Sequence, residues 1–302
     1  MKSKLRDFFK NLSHGRLSFI FSFLYKIAIF IVYYFLRLKW FLLGAKKPDQ
    51  EEVGLVKENV TFVFKSFERQ AMAKRLYKCI QSYYPGVRVI IADDSSKPLD
   101  LQGENLEVIQ LPFNSGLSYG LNCALEKVET PFMIRMDDDE LLTPFTKWGK
   151  QLLFLMEHPE VDLVAVHLFD IPIMKTLEEE SKRYYGNSMA EAPKELKIPH
   201  MTLLDSEHIV LGKTPNTFIV RTDKMKEVGY DNRIRMIDHD DFFYRAAGNM
   251  VSVLDRTAFV IHYHNRFDMK YQKYRADVDA DRVYISHRRW TDYLQKDRKQ
   301  YP

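Results

Sequence analysis

The chain has 302 residues, and its content of 46% apolar and 28% charged residues is ordinary for a globular protein. Its two cysteines, Cys79 and Cys123, exclude a disulfide framework and a cysteine-rich metal cluster. Residues 1–48 hold ten Lys/Arg and one acid, a net charge of +9, whereas the other 35 bases and 40 acids give −5. Because this positive charge accompanies an apolar segment, it favours a membrane surface, and we expect no nucleic-acid partner.

The N-terminal segment, residues 1–44, contains the apolar run LSFIFSFLYKIAIFIVYYFL. A run of about 20 apolar residues can span a bilayer, although Lys26 lies near its middle and would have to extend its charge to the interface. A spanning anchor and an amphipathic helix in the membrane plane both fit the pattern, and basic residues on both flanks leave orientation and compartment open. We expect residues 1–44 to associate with a membrane, and the polar residues 45–58 to link them to a core that folds independently.

Between residues 59 and 265 the pattern changes to strands that alternate with helices. Strands are predicted at Val60–Phe64, Val87–Ala92, Leu106–Leu111, Phe132–Met136, Val161–Leu168, Thr217–Arg221, Val251–Leu254 and Ala258–His262. Thr143 followed by Pro144 predicts the start of a helix that runs to about Glu157. This order predicts an α/β domain with a mostly parallel, Rossmann-like sheet covered by helices on both faces. Residues 171–208 are predicted as a polar insertion, and residues 266–302 as a basic, helical extension.

Polar loops follow four of the predicted strands. They are Lys65–Arg69, Asp93–Ser96, Asn114–Ser118 and Asp137–Asp139. Ligands of parallel sheets bind outside the carboxyl ends of the strands, so the four loops predict one site along a single edge of the sheet.

Three consecutive carboxylates, Asp137 to Asp139, end the strand at Phe132–Met136. Like charges so close together repel one another unless a cation or a hydrogen-bonded ligand neutralises them, and oxygen ligands suit Mg²⁺ or Mn²⁺. A solvated acidic turn is the simpler alternative.

A second acidic cluster, Asp238-His239-Asp240-Asp241, precedes an aromatic helix, and His262 ends the last predicted strand. A histidine in that position can be a metal ligand or a structural residue, and both interpretations stay open at this point.

Taken in order, these motifs resemble those of inverting nucleotide-sugar glycosyltransferases of the GT-A fold. Within that class the chain is most similar to the ganglioside β-1,4-N-acetylgalactosaminyltransferase group. The stretches that match, within roughly residues 60–265, are FKSFERQ, SYYPGVRVIIADDSSKPL, LPFNSGLSYGLN, VETPFMIRMDDDE, FIVRTDKMKEVGYDNRIRMIDHDDFF and FVIH. One departure is Gly120-Leu121-Asn122, where the family commonly has Gly-Arg-Asn, so that a cationic donor contact is missing.

The resemblance implies a role for each matched position. The nucleotide sugar would contact Ser66, Phe67, Arg69, Asp93, Asp94, Asn114, Gly116, Leu117, Asn122, Asp137 and Asp138. A divalent metal, Mn²⁺ or Mg²⁺, would be held by Asp137, Asp139 and His262. Asp241 is the implied general base, and another register of the same motif gives Asp240 or His239.

The activity implied is metal-dependent, inverting transfer of a sugar from a UDP-sugar to a glycan or glycolipid acceptor, with UDP-GalNAc as one candidate donor. A single base and a metal, without a second carboxylate as nucleophile, fit one displacement with inversion. Two alternatives stay open. One is a surface-polysaccharide glycosyltransferase that uses another nucleotide sugar, and the other is an inactive, membrane-bound glycan-binding or scaffold homologue.

Overall fold

A ten-stranded sheet forms the centre of the structure, a computed structural model that describes residues 18–176, 194–263, 271, 273–275 and 278–300. Parts of the predicted membrane segment, polar insertion and C-terminal extension lie outside these ranges. The strands are β1 Val60–Ser66, β2 Arg88–Asp93, β3 Leu106–Gln110, β4 Phe132–Asp137, β5 Glu140–Leu141, β6 Leu163–Asp170, β7 Lys175–Thr176, β8 His208–Val210, β9 Phe218–Arg221 and β10 Ser252–His262.

Eight α-helices accompany the sheet within the described residues. They are α1 Ser18–Leu42, α2 Gln50–Asn59, α3 Gln70–Tyr83, α4 Leu117–Glu126, α5 Trp148–Glu157, α6 Thr222–Val228, α7 Asp238–Ala246 and α8 Val278–Gln300, with a 3₁₀ turn at Lys273–Arg275.

The strand order is β3-β2-β1-β4-β9-β6-β10-β5, with β7 beside β6 and β8 beside β10. Strands β1 to β4 are parallel neighbours, and β6 and β10 form a second parallel pair. Strand β9 lies between the two groups and is antiparallel to both β4 and β6, so the six long strands run in one direction. The prediction of a mostly parallel α/β sheet is therefore confirmed.

Both faces of the sheet are buried, because the central strands are continuous apolar runs. In β1, Phe62 and Phe64 pack on one face with helices α2, α3 and α5. Val63 lies between them in sequence and packs on the other face with α4, α6 and α7. Side chains alternate along a strand, so one apolar run contributes residues to the core on each face of the sheet. This alternation also fixes the direction in which the loop after the strand leaves the sheet.

Residues 45–58, predicted as a linker, contain most of helix α2. Asp49 caps this helix, since its carboxylate accepts a hydrogen bond from the Glu52 amide at 2.9 Å, and Glu51 and Glu52 lie in its first turn. The Glu52 carboxylate also accepts a hydrogen bond from the Tyr84 hydroxyl at 2.9 Å, and this contact docks the helix on the core.

Two further predictions need correction. Helix α5 begins at Trp148 rather than after Thr143, because the Thr143 hydroxyl donates a hydrogen bond to the Phe259 carbonyl at 3.0 Å and holds the chain along β10. The two strands predicted between Val251 and His262 are one strand, β10, with a bulge after Asp255. The Asp255 carboxylate stabilises this bulge by accepting hydrogen bonds from the amides of Thr257 and Ala258.

Helix α1 is the one helix in the described part of the chain that is long and apolar enough to cross a membrane. It does not stand apart from the core. Ile29, Leu36 and Trp40 are buried in a cluster with Leu141 of β5 and Ile261 of β10. Removing α1 would expose those core residues to water. The structure therefore argues against a core whose stability does not depend on this segment.

Candidate active site

A cavity of about 530 Å³ opens at the carboxyl ends of β1 and β4, a volume typical of small-molecule sites. Its polar and aromatic lining comprises Lys65, Phe67, Arg69, Asn114, Arg135, Asp137, Asp138, Asp139, Lys213, Asn216, Arg235, Asp238, His239, Asp240, His262, Tyr271 and Tyr274. Three of the four loops predicted to form the site contribute to this lining.

The acidic triplet lies where β4 ends, and two arginines divide its charge. Arg69 forms ion pairs with both Asp138 and Asp139, the latter at 2.9 Å from its Nη1 atom. Asp137 instead pairs with Arg135 at 2.8 Å. The three adjacent carboxylates are thus neutralised from two sides, which offsets the repulsion that the sequence predicts.

Arg135 is fully buried within β4 and connects the two acidic clusters. Besides Asp137 it lies 3.8 Å from the Asp238 carboxylate, and it donates a hydrogen bond to the Asn216 carbonyl at 2.6 Å. The sequence reading overlooked this residue, although an arginine inside an apolar strand is itself a signal, because a buried charge requires partners.

His262 reaches the acidic triplet through strand pairing. Strand β5 pairs antiparallel with β10 so that His262 faces Glu140, and the Tyr263 amide donates to the Asp139 carbonyl at 2.7 Å. The His262 Nε2 atom lies 3.6 Å from Asp139 Oδ1, while its Nδ1 atom contacts Asp170 Oδ1 at 2.5 Å. Burial alone would lower the pKa of His262, but Asp139 and Asp170 raise it to about 9.

The residues around His262 fit a divalent cation in their chemistry. Carboxylate oxygens and an imidazole suit Mn²⁺ or Mg²⁺, and a carboxylate behind the imidazole, as Asp170 provides, commonly orients histidine ligands. The buried Asp138 Oδ2 atom has no hydrogen-bond partner among the described residues. Within the described ranges, no group of three or more His, Cys, Asp or Glu side chains is arranged to hold a metal ion.

Burial raises the pKa of Asp138 to about 7, against the opposing charge of Arg69.

Aromatic rings form another wall of the cavity. Phe67 contacts Phe113 at 5.8 Å and Tyr274 at 5.0 Å between ring centroids, and the Arg69 guanidinium lies 4.1 Å from the Tyr271 ring centroid. Flat rings beside cations are suited to stacking against a nucleobase. Tyr271 and Tyr274 belong to the segment predicted as an extension and were missed by the sequence reading.

Three residues expected to touch the nucleotide, Ser66, Asp93 and Asp94, are absent from the described lining of the cavity. Asp93 accepts hydrogen bonds from the Ser95 hydroxyl at 2.6 Å and from the Leu99 amide at 2.8 Å. Asp94 accepts from the Gly116 amide at 3.1 Å and contacts Lys65 Nζ at 2.5 Å. Both carboxylates are fully buried and support the loops behind the cavity.

The loop before α4 supplies three of the residues expected to contact the donor to the cavity lining. Asn114, Gly116 and Leu117 line the cavity, and the first two have positive φ of 53° and 103°. A side chain at Gly116 would approach the Arg235 backbone to 3.3 Å, so glycine suits both the conformation and the contact. Asn122 lies outside the described lining, where its side-chain amide contacts the Tyr230 backbone and the Asn232 side chain.

Asp241, the residue that the resemblance implies as the base, lies away from the described cavity lining. Its buried carboxylate pairs with Arg245 at 2.8 Å and with Arg288. A helix turns by about 100° per residue, so adjacent positions of α7 point in different directions. Asp238, His239 and Asp240 line the cavity, and Asp241 faces the C-terminal helix α8.

The three cavity-facing residues of α7 differ in environment. Burial raises the pKa of Asp238 to about 6. His239 donates from Nε2 to the Thr214 carbonyl at 2.7 Å if it carries its proton there, and burial together with Lys213 holds its pKa well below 6.5. Asp240 is partly exposed and pairs with Lys213, whose pKa is lowered to about 8 mainly by burial.

The chain is similar to known proteins along this same core. The family model described as Glycosyl transferase family 2 matches residues 61–229. Human beta-1,4 N-acetylgalactosaminyltransferase 1 is 30% identical over 194 residues, which cover 63% of this chain and 36% of the relative. Mouse beta-1,4 N-acetylgalactosaminyltransferase 2 is 27% identical over 240 residues, covering 74% of this chain and 45% of the relative. The chain thus spans less than half the length of these curated relatives.

Among solved structures, S. aureus TarS in complex with UDP-GlcNAc is similar in fold. The match has a TM-score of 0.50 and 17% identity, and it covers 67% of this chain and 58% of the TarS 1–349 chain in that structure. At that identity the likeness concerns the fold, and it agrees with the predicted GT-A architecture, which is confirmed.

We predict that Asp241→Asn lowers stability more than Asp240→Asn does. Loss of the buried charge removes the paired carboxylate of Arg245 and one of the two carboxylates that pair with Arg288, which typically costs about 3 kcal/mol, whereas a partly exposed pair contributes about 0–1 kcal/mol. Urea unfolding of both variants in the same detergent measures the difference. Equal stability, together with loss of turnover confined to Asp241→Asn, would restore Asp241 as a candidate base.

Proposed function

We propose that this chain, which belongs to glycosyl transferase family 2, moves a sugar from a UDP-sugar to a glycan or glycolipid acceptor. The chain is a glycosyltransferase by its family, and the donor and acceptor are our inference. The observation that carries the proposal is the cavity at the strand ends, where Arg69, the acidic triplet and His262 meet beside aromatic rings. This set suits an anionic diphosphate attached to a flat base.

The donor class is inferred from the relatives. Those most similar in sequence are named as N-acetylgalactosaminyltransferases, and the TarS structure contains UDP-GlcNAc. Both names contain an N-acetylhexosamine, so we propose a UDP-N-acetylhexosamine as donor, with UDP-GalNAc the leading candidate.

We further propose that a divalent metal takes part. Asp139 and His262 would hold it, and Asp137, whose carboxylate is kept in place by Arg135, would contact the ribose or water near the ion. When bound, such an ion stabilises the negative charge of the departing diphosphate. The guanidinium of Arg69 lies at the same carboxylates and would bind the diphosphate directly.

The acceptor hydroxyl must lose its proton as it attacks the sugar, and we propose His239 as the base. Its hydrogen bond to the Thr214 carbonyl fixes the proton on Nε2 and leaves Nδ1 with a lone pair. Burial and the charge of Lys213 keep the ring neutral at pH 7, so the lone pair is available. Asp240 is less suitable, because Lys213 already neutralises its carboxylate.

A base on α7 and a leaving group bound at β4 lie on different elements around one cavity. This separation supports attack from the side opposite the diphosphate, which inverts the anomeric centre in a single displacement. No covalent intermediate is then required.

The outer face of α1 supports membrane association. Nine of its large apolar side chains are more than half exposed, namely Phe19, Phe23, Leu24, Phe30, Ile31, Phe35, Leu38, Phe41 and Leu42. Such a continuous apolar surface is suited to lipid. Because the inner face is docked on the catalytic domain through Leu36 and Trp40, we propose that α1 holds this domain against the bilayer.

We predict that a screen of UDP-sugars and other nucleotide sugars gives release of UDP that requires Mn²⁺ or Mg²⁺. UDP-N-acetylhexosamines should react fastest, and EDTA should abolish the reaction because the diphosphate charge is then unscreened. The affinity for UDP, measured by calorimetry, should be lower in EDTA than with the metal, and lower in Asp139→Asn than in wild type. Turnover in EDTA would remove the metal from the proposal, and absence of turnover with every donor would favour an inactive glycan-binding homologue.

We predict that His239→Gln lowers kcat by about 10²–10⁴-fold, the usual contribution of a positioned base. Glutamine can still donate to the Thr214 carbonyl but has no basic lone pair. Asp240→Asn should lower kcat far less. Because the pKa of His239 is held well below 6.5, its ring stays neutral at pH 6.5 and above, and protonation of His239 should not lower the wild-type rate there. A rate that falls near pH 6, with loss of activity in Asp238→Asn rather than His239→Gln, would assign the base to Asp238.

We predict that full-length protein floats with lipid vesicles in a density gradient. The exposed apolar face of α1 drives this binding, and high salt should not reverse it because burial of apolar surface does not depend on charge screening. Replacing Phe30, Ile31 and Phe35 by serine should reduce flotation. Full-length protein that remains at the bottom of the gradient would contradict the membrane proposal.

A further inference from the structure

The entry to helix α7 depends on a residue far away in sequence. The helix begins at Asp238, and its N-cap residue, Ile237, has no side-chain acceptor with which to cap it. Asp281, in the first turn of α8, instead contacts the loop that leads into the helix. Its carboxylate lies against three consecutive backbone amides, those of Arg235, Met236 and Ile237.

The contacts of Asp281 are short and enclosed. Oδ2 accepts hydrogen bonds from Met236 at 2.7 Å and Ile237 at 3.2 Å, and both carboxylate oxygens lie 3.1 Å from the Arg235 amide. The residue is only 4% exposed. Among the described residues its hydrogen-bond partners are these three amides. Amide dipoles can stabilise a buried carboxylate, and the carboxylate in turn fixes the path of the loop.

The same loop also contacts the donor side of the cavity. The Arg235 carbonyl accepts a hydrogen bond from the Leu117 amide at 2.9 Å, and the Arg235 guanidinium donates to the Asn114 carbonyl. Met236 and Ile237 line the cavity directly. One short loop therefore joins the Asn114–Leu117 turn to the first turn of α7, and Asp281 holds its middle.

Helix α8 is itself fixed on the domain beyond Asp281. Arg288 pairs with Asp231 at 3.0 Å and with Asp241, and the Tyr284 hydroxyl donates to Asp231 at 2.7 Å. Arg289 donates to the Asp240 carbonyl at 3.2 Å. These contacts make α8 a rigid support from which Asp281 can act on the loop.

We propose that Asp281 is a positioning residue for sugar transfer, which places the first turn of α7 at the cavity by holding the amides of residues 235–237. The inference rests on the proposed transferase activity and adds to it a role for the C-terminal helix. Asparagine would replace one carboxylate oxygen by an amide that repels the loop N–H groups, and alanine would leave the N–H groups without an acceptor.

The test compares Asp281→Asn and Asp281→Ala with Asp279→Asn in the full-length protein. Asp279 is a matched control, since it lies on the same helix, is exposed, and pairs with the surface residue Arg282. Turnover is normalised to the number of UDP-binding sites titrated by calorimetry. Amide hydrogen exchange is followed at residues 235–237 and, as a reference, in β1.

We expect kcat per UDP-binding site to fall by about 10²-fold in Asp281→Ala, the scale of loss when reacting groups shift by about 1 Å. The kcat per UDP-binding site of Asp281→Asn should lie between those of Asp281→Ala and the control. Amide exchange in Asp281→Asn should be faster than in wild type at residues 235–237 and unchanged in β1. Asp279→Asn should match wild type in both respects.

Two outcomes would overturn the inference. Equal kcat per site in Asp281→Asn, Asp281→Ala and Asp279→Asn would make Asp281 a purely structural residue, and unchanged exchange at 235–237 would show that it does not hold the loop. Wild-type protein that binds UDP but transfers no sugar would instead overturn the proposed function, so the two failures are distinguishable.

Discussion

The division of the Asp137–Asp139 charge between Arg69 and Arg135 is the interaction on which the site depends. Three carboxylates at the end of a buried strand can remain there only if opposite charges reach them, because desolvated like charges otherwise raise one another's pKa. Arg69 comes from the loop after β1, and Arg135 from within β4 itself. Since Arg135 also reaches Asp238, the same pairing ties the sheet to the helix that presents the proposed base.

Strand β10 and helices α8 and α1, which lie outside the central core, contact the site or the elements next to it. Strand β10 brings His262 to Asp139, and helix α8 contacts the loop before α7 through Asp281 and α7 itself through Arg288. Helix α1 packs beside the short strand β5, which directly follows the acidic triplet. The cavity, the C-terminal helix and the proposed membrane-binding helix are therefore joined by direct contacts to neighbouring elements.

Much of the fold could be predicted because its signals are local. Apolar runs that end in polar loops located the six long strands and the edge of the sheet where the site forms. The three consecutive carboxylates of Asp137–Asp139 marked the end of one of these strands. The failures involve information that a local pattern does not contain. Helical rotation separates Asp241 from Asp240, Asn122 faces a loop more than 100 residues away, and the partners of Asp281 lie 44–46 residues earlier. Helix α2 was missed because its stability comes from the Asp49 cap and the Glu52–Tyr84 contact more than from an apolar stripe.

The most direct test of the central claim, that this cavity is the site of a UDP-sugar donor, is a crystal structure of the protein with UDP and Mn²⁺. We expect the uracil ring beside Phe67 and Tyr274, the diphosphate within reach of Arg69, and the ion in contact with Asp139 and His262. UDP bound elsewhere on the molecule, or an ion that touches neither Asp139 nor His262, would contradict this account of the site.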